Sequence, residues 1–214
     1  MIFTIEQTKT GFNLEYTAKL QNGTTLCNIT SPFQTDGLNL HLEFPDSIYR
    51  MYFNNRDTTH GISMKERFKF RIFADDILVG EIAGIVKKAK GLFQTYYGMK
   101  LELENEMYVM YEVGFGRKGL YLCIYKNDDE LIAIVEKDIK TVNFKDKYTI
   151  YTLGGEHVKY IIMSVLQYDI AQYGDITEKA ITSVKTDSIN TIQKELIAKY
   201  DPEFIPRIKA MHEN

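Results

Sequence analysis

Residues 157–173, HVKYIIMSVLQYDIAQY, constrain the fold more than any other stretch of the chain. At about 100° per residue, Val158, Ile162, Val165, Leu166 and Tyr173 share one helical face. Tyr160, Ile161, Met163, Tyr168 and Ala171 cover most of the other directions. A surface helix shows one apolar stripe, whereas a helix apolar nearly all round is enclosed by other elements. Lys159, Gln167, Asp169 and Gln172 interrupt the run well short of the roughly 20 apolar residues of a membrane span. The sequence therefore predicts a buried helix whose container is supplied by the rest of the chain.

That container reads as strand. From residue 1 to about 153, apolar residues recur mostly with period two, in short runs bounded by Gly, Asn, Asp or Pro. The runs are 2–5, 12–20, 24–29, 38–44, 48–53, 68–73, 77–86, 92–97, 99–103, 107–113, 120–125, 131–136 and 148–153. Asn22-Gly23 between two of them is a hairpin signal, because both residue types accept positive φ. With 15 Tyr, 12 Phe and no Trp, the aromatics are of the kind that packs across a pleated sheet. About a dozen antiparallel strands with turns every 8–12 residues or so imply a sandwich or barrel, and closure removes unpaired edges. The expected fold is a mainly β, closed or nearly closed barrel of about 12 strands around the 157–173 helix.

Two further patterns refine this picture. Segments 71–82 and 123–134 superimpose with an offset of 52 (123 − 71): an apolar-aromatic strand, an acidic turn, then an apolar strand. After Gly174, a good helix-terminating glycine, the chain changes character. Asp175 to Glu178 resembles a capping box, Asp187 or Ser188 could cap a helix ending before Asp201-Pro202, and a short last helix follows Ile205-Pro206. Residues 1–174 thus read as the barrel and 175–214 as a helical extension packed on its outside.

Charge and cysteine content narrow the functional classes. A net charge of −3 gives no global attraction to nucleic acid or to anionic lipid, which leaves local basic patches as the route to either. Cys27 and Cys123 are distant, without a CxxC spacing, which suits a reduced compartment but leaves one long-range disulfide open. The start MIFTIEQTKTGF has no signal-peptide features, so a cytoplasmic setting is expected. Gly114-Phe-Gly-Arg-Lys-Gly119 matches the dinucleotide fingerprint in letters, but a strand follows it where the chemistry needs a helix N-terminus, so it reads as a turn. His41, His60, His157 and His212 are scattered, and no metal site or cofactor is expected. No serine or cysteine has an activating context, and Asp75-Asp76 and Asp128-Asp129 read as turn residues.

Two sets of residues stand out. Asp169 lies within the strongest apolar face of the helix, where a carboxylate either acquires partners or shifts upward in pKa. Lys87, Lys88 and Lys90 end one strand, Arg117 and Lys118 lie in a turn, and Lys137 and Lys140, with Lys145 and Lys147, follow the second repeat. If the repeats are pseudo-symmetric, the first and third groups occupy related strand ends, where clustered cations can bind phosphate headgroups.

The segments FRIFADDILVGEIAGIVKK, ELIAIVEKDI with DKYTIYTLGG, and the helix YIIMSVLQYDI together resemble the tubby-like superfamily over residues 68–174. The resemblance is to its LURP-one-related branch, which also relates to phospholipid scramblases. It implies a twelve-stranded barrel enclosing a central hydrophobic helix and no catalytic motif; tubby proteins bind phosphoinositides through basic residues on the barrel surface, but the resemblance carries over the fold and not those positions. In those families the central helix closes the chain, whereas here residues 175–214 follow. The expectation is a non-enzymatic binding or interaction module, its partner an anionic phospholipid at a membrane surface or another protein. The alternatives are a helix-grip carrier of a small hydrophobic ligand, with Ser164 and Gln167 lining a cavity, and an enzyme with a barrel-mouth pocket.

Overall fold

The computed structural model of the chain describes residues 1–10, 13–32, 37–54, 69–89, 95–138, 145–173 and 191–212. Twelve antiparallel strands close into an up-and-down barrel in which every strand pairs with its neighbours in sequence. They are β1 (Ile2–Lys9), β2 (Leu14–Leu20), β3 (Thr25–Ser31), β4 (Gly37–Glu43), β5 (Ile48–Asn54), β6 (Phe70–Ala74), β7 (Ile77–Lys88), β8 (Thr95–Leu103), β9 (Glu106–Gly114), β10 (Leu120–Lys126), β11 (Glu130–Lys137) and β12 (Lys147–Thr152). The seam is β1 on β12, running from Ile2 opposite Tyr151 to Glu6 opposite Lys147.

The central helix α1 (Val158–Tyr173) follows a 3-10 turn at Gly155–His157 and runs down the inside of the barrel. From His157 to Ile170 every side chain is buried except the half-buried Lys159. The helix and the inward residues of the strands form one apolar core, among them Phe3, Ile5, Leu40, Leu42, Met51, Ile72, Leu101 and Leu122. All-round apolarity thus has its physical reason, because sheet surrounds the helix on every side.

Antiparallel strands place alternate connections at opposite ends of the barrel. At one end, here the hairpin end, β2–β3, β4–β5, β6–β7, β8–β9 and β10–β11 are joined by no more than four residues each. Asp75-Asp76, Glu104-Asn105 and Asn127-Asp128 all have positive φ there, the backbone that tight hairpins require. The Asn22 side chain accepts from the Thr24 N–H at 3.0 Å in the β2–β3 turn. The other, loop end collects the remaining connections, several of which lie outside the described residues, and it is where α1 finishes.

Several details differ from the sequence reading. The segments 92–97 and 99–103 are one strand, β8, which runs straight through Gly98. A Cβ on Gly98 would stand 2.9 Å from the Tyr111 ring, so the glycine makes room for an aromatic that crosses β8. The repeated hairpins β6–β7 and β10–β11 share a bulge at matching positions, Ile72/Phe73 and Ile124/Tyr125. Their second strands slip by one residue, because Phe73 faces Leu78 but Tyr125 faces Leu131.

The extension packs on the outer face as α2 (Thr191–Ile197) and α3 (Phe204–His212). Gly174, the capping box at 175–178 and the caps at 187–188 lie outside the described residues. The last helix begins before Pro206 because the first turn has N–H groups without intrahelical partners, where proline costs little. Asp201 caps this entry, accepting from the Glu203 N–H at 2.9 Å. Phe204, Ile205 and Ile208 cover Ile2, Val113, Cys123, Ile134 and Tyr151, and Leu196 lies against a second outer cluster with Tyr96, Val109 and Tyr111.

Candidate functional site

One group of interior polar residues lies at the loop end. Asp169, in the last turns of α1, accepts hydrogen bonds from the Tyr16 hydroxyl of β2 at 2.6 Å and from the Tyr148 hydroxyl of β12. Burial pushes its carboxyl above the ordinary carboxylate range, against the opposing effects of Tyr148, Tyr16 and the Lys137 charge. Burial and the Asp169 charge in turn push the Tyr148 hydroxyl well up.

Beside this triad, Lys137 of β11 and Asp146, just before β12, form an ion pair with both side chains inside the barrel. The Lys137 ammonium stands 4.9 Å from the centre of the Tyr148 ring. Gln7 of β1 fixes Asp146 by its backbone, accepting from the Asp146 N–H at 3.2 Å while its own N–H donates to the Asp146 carbonyl at 2.9 Å. Glu112 of β9 joins from another side. Burial raises its carboxyl, and a hydrogen bond from Tyr168 of α1 pulls the other way. Among the described residues, three carboxyl groups, Asp169, Asp146 and Glu112, thus lie around the end of the helix, with the Lys137 ammonium paired to one of them.

Strand parity explains how these side chains enter the core. Gln7 follows Phe3 and Ile5 on the inner face of β1, and Lys137 follows Ala133 and Val135 on that of β11. The sequence reading missed Tyr16, Tyr148, Asp146, Gln7 and Glu112. The available signal was a polar residue at the inward phase of a strand, close to the strand's end.

The basic residues singled out from sequence do not form one cluster. Lys137 is interior. Lys87 lies on the outer face, paired with Asp128, which also accepts from the Tyr111 hydroxyl and lies 3.6 Å from the Lys199 ammonium. Burial raises Asp128, but the bonds from Lys87 and Tyr111 outweigh it and hold its carboxyl below the ordinary value. The slip between the repeats makes Gly84 the counterpart of Lys137 (84 + 53 = 137), which is why Lys87 and Lys137 face opposite ways. Lys88 and Lys118 are exposed at the loop end, Arg117 sits in a 3-10 turn, and Lys90 and Lys140 lie outside the described residues.

That turn, Gly116–Lys118, leads into β10, so the GxGxxG letters belong to a strand connection. Gly119 at φ 148° lies under the Tyr121 ring, which a Cβ there would meet at 2.9 Å. An open groove beside it is walled by Lys118, Tyr121, Glu136, Asp138 and Thr149, with Glu136 accepting from Tyr151 at 2.9 Å. A second open groove follows β7 and the β8–β9 turn at the hairpin end, and neither groove is lined by α1. Ser164 turns its hydroxyl back onto the Tyr160 carbonyl at 2.8 Å.

At the hairpin end the helix is pinned as well. Lys159 donates to Tyr49 at 3.1 Å and to Glu104, which also accepts from Tyr49 at 2.6 Å. The Lys159 and Tyr49 bonds hold Glu104 below the ordinary carboxylate range. His157 bonds Tyr108 at 3.1 Å, and His41 meets Asn39 at 3.3 Å on the outer face. Among the described residues no group of His, Cys, Asp and Glu is arranged to hold a metal ion. Cys27 and Cys123 are free and buried, Cys27 in the core and Cys123 beneath α3, so no disulfide joins them. No described helix is long and apolar enough to cross a membrane.

Comparison of the chain with protein-family models, with curated proteins and with solved structures gave no match. Its class is therefore defined by its own architecture, a closed twelve-stranded barrel filled by a helix.

Proposed function

We propose that the protein is a non-catalytic binding module whose loop end meets an anionic, phosphate-bearing membrane surface. The observation that supports this reading is a set of exposed lysines at the loop end. Lys88, Lys118 and Lys145 are exposed there, and among the described residues none of them has an acidic ion-pair partner, although Asp138 is exposed beside Lys118. At the hairpin end Asp76, Glu104 and Asp128 are instead paired with Arg50, Lys159 and Lys87. Unpaired cations grouped at one end are drawn towards negative charge. The resemblance to tubby-like proteins agrees with the reading, although Lys137, being interior, takes no part in it.

The test is co-sedimentation with phosphatidylcholine vesicles, with and without phosphatidylserine. Binding only to the anionic vesicles, weakened by salt and by Lys88→Glu with Lys118→Glu, is the expected result. Equal retention on both vesicle types, or no effect of the charge reversals, would remove the proposal.

A further inference from the structure

The interior pair Lys137–Asp146 is unusual for more than its burial. Both side chains are almost completely enclosed, at 0% and 1% exposure. Among the described residues no hydroxyl or amide donates to the Asp146 carboxylate, so the Lys137 amine is the group that faces it. The backbones of both residues are held by pairing, Asp146 through its bonds to Gln7 and Lys137 through its register opposite Tyr148 of β12. A third acid, Asp169, is fixed by the hydroxyls of Tyr16 and Tyr148, and the Lys137 ammonium stands 4.9 Å from the centre of that same Tyr148 ring.

We propose that Lys137 and Asp146 are the site of a self-catalysed covalent modification, an amide bond between the lysine Nζ and the aspartate Cγ. In a low-dielectric interior an ion pair gains by passing its proton from ammonium to carboxylate, which leaves a neutral amine beside a carboxylic acid. The amine lone pair then adds to Cγ. The nitrogen gives up a proton, the Cγ–O bond to the hydroxyl breaks, and the hydroxyl leaves with that proton as water. One ammonium and one carboxylate become one amide and one water, with no change of oxidation state and no co-reactant. Asp169, held at the hydroxyl of the Tyr148 ring over which the Lys137 amine stands, carries the proton from the nitrogen to the departing hydroxyl. Fixed approach of the reacting atoms supplies the rate, and exclusion of water protects the product from hydrolysis.

The experiment is intact-mass spectrometry of the full chain after folding, followed by peptide mapping. The expected wild-type mass lies below the sequence mass by one water molecule. Trypsin then fails to cut after Lys137, and a branched peptide joins the segments containing residues 137 and 146. Lys137→Arg keeps the cation but forms no amide, so it shows its full sequence mass with cooperative unfolding retained. Asp169→Asn folds but loses water many times more slowly than the wild type. A folded wild-type protein that stays at its full sequence mass, with ordinary cleavage after Lys137, overturns the proposal. Water loss that persists in Lys137→Arg overturns it equally, and Asp169→Asn linking at the wild-type rate overturns the part given to Asp169.

Discussion

Replacing Tyr148 with Phe removes a single oxygen from the core and leaves the fully buried ring in place, so no cavity term enters. What is lost is one of the two donors to Asp169. A hydrogen bond to a charged acceptor contributes about 1.5–3 kcal/mol. At roughly 2–4 °C per kcal/mol for a chain of 214 residues, the midpoint should fall by about 3–12 °C. The cost also depends on pH. Asp169 has its folded value above its unfolded one, so the folded state keeps the proton through a window in which the unfolded chain has released it. Stability from this group is complete below the ordinary carboxylate range and is lost as pH rises through the raised value. The Tyr148 hydroxyl opposes that rise, so its removal pushes Asp169 further up and deepens the loss at alkaline pH. Thermal unfolding of wild type and Tyr148→Phe at about pH 5 and about pH 8 should therefore give a larger difference at the higher pH. An equal difference at both, or an unchanged midpoint, would refute the description of Asp169 as a buried carboxylate held by phenol donors.

Other expectations follow from single contacts. Leu166→Ala in α1 opens a cavity where sheet encloses the helix, and chemical denaturation should show a loss of about 2–5 kcal/mol. Gly98→Val drives a side chain into the Tyr111 ring and should cost about 1–3 kcal/mol by the same assay, with Gly98→Ala costing less. Phe204→Ala should loosen α3 before the barrel melts, so that Cys123 reacts with a thiol reagent in the native state while Cys27 stays silent. Lys159→Met breaks the partly exposed pair with Glu104, and a change beyond about 1 kcal/mol would contradict its exposure.

The barrel was legible in the sequence because its rules are local. Period-two alternation marks strands, Asn-Gly and Asp-Asp mark turns, and a helix such as 157–173, with apolar residues in every direction, has to be enclosed. The failures were also local. Gly98 read as a strand break, since nothing nearby in sequence reports that the Tyr111 ring will fill the space above it. The site was harder to read because it depends on strands brought together by closure. Asp169 was visible alone, but Tyr16 and Tyr148 are separated from it by 153 and 21 residues. Lys137 was misread as a surface cation because a hairpin loop one residue longer in the second repeat reverses which face its strand ends on.

The order of elements has a consequence for how the molecule comes into being. Each strand finds its partner next door in sequence, apart from the β1–β12 seam, yet the helix that fills the centre is encoded after all twelve. A ribosome therefore delivers the wall before the filling. Until α1 has emerged, the inward faces of the strands have nothing apolar to close upon, and an empty sheet of this length is exposed to aggregation. A segment made after the wall is the one that allows the wall to become stable.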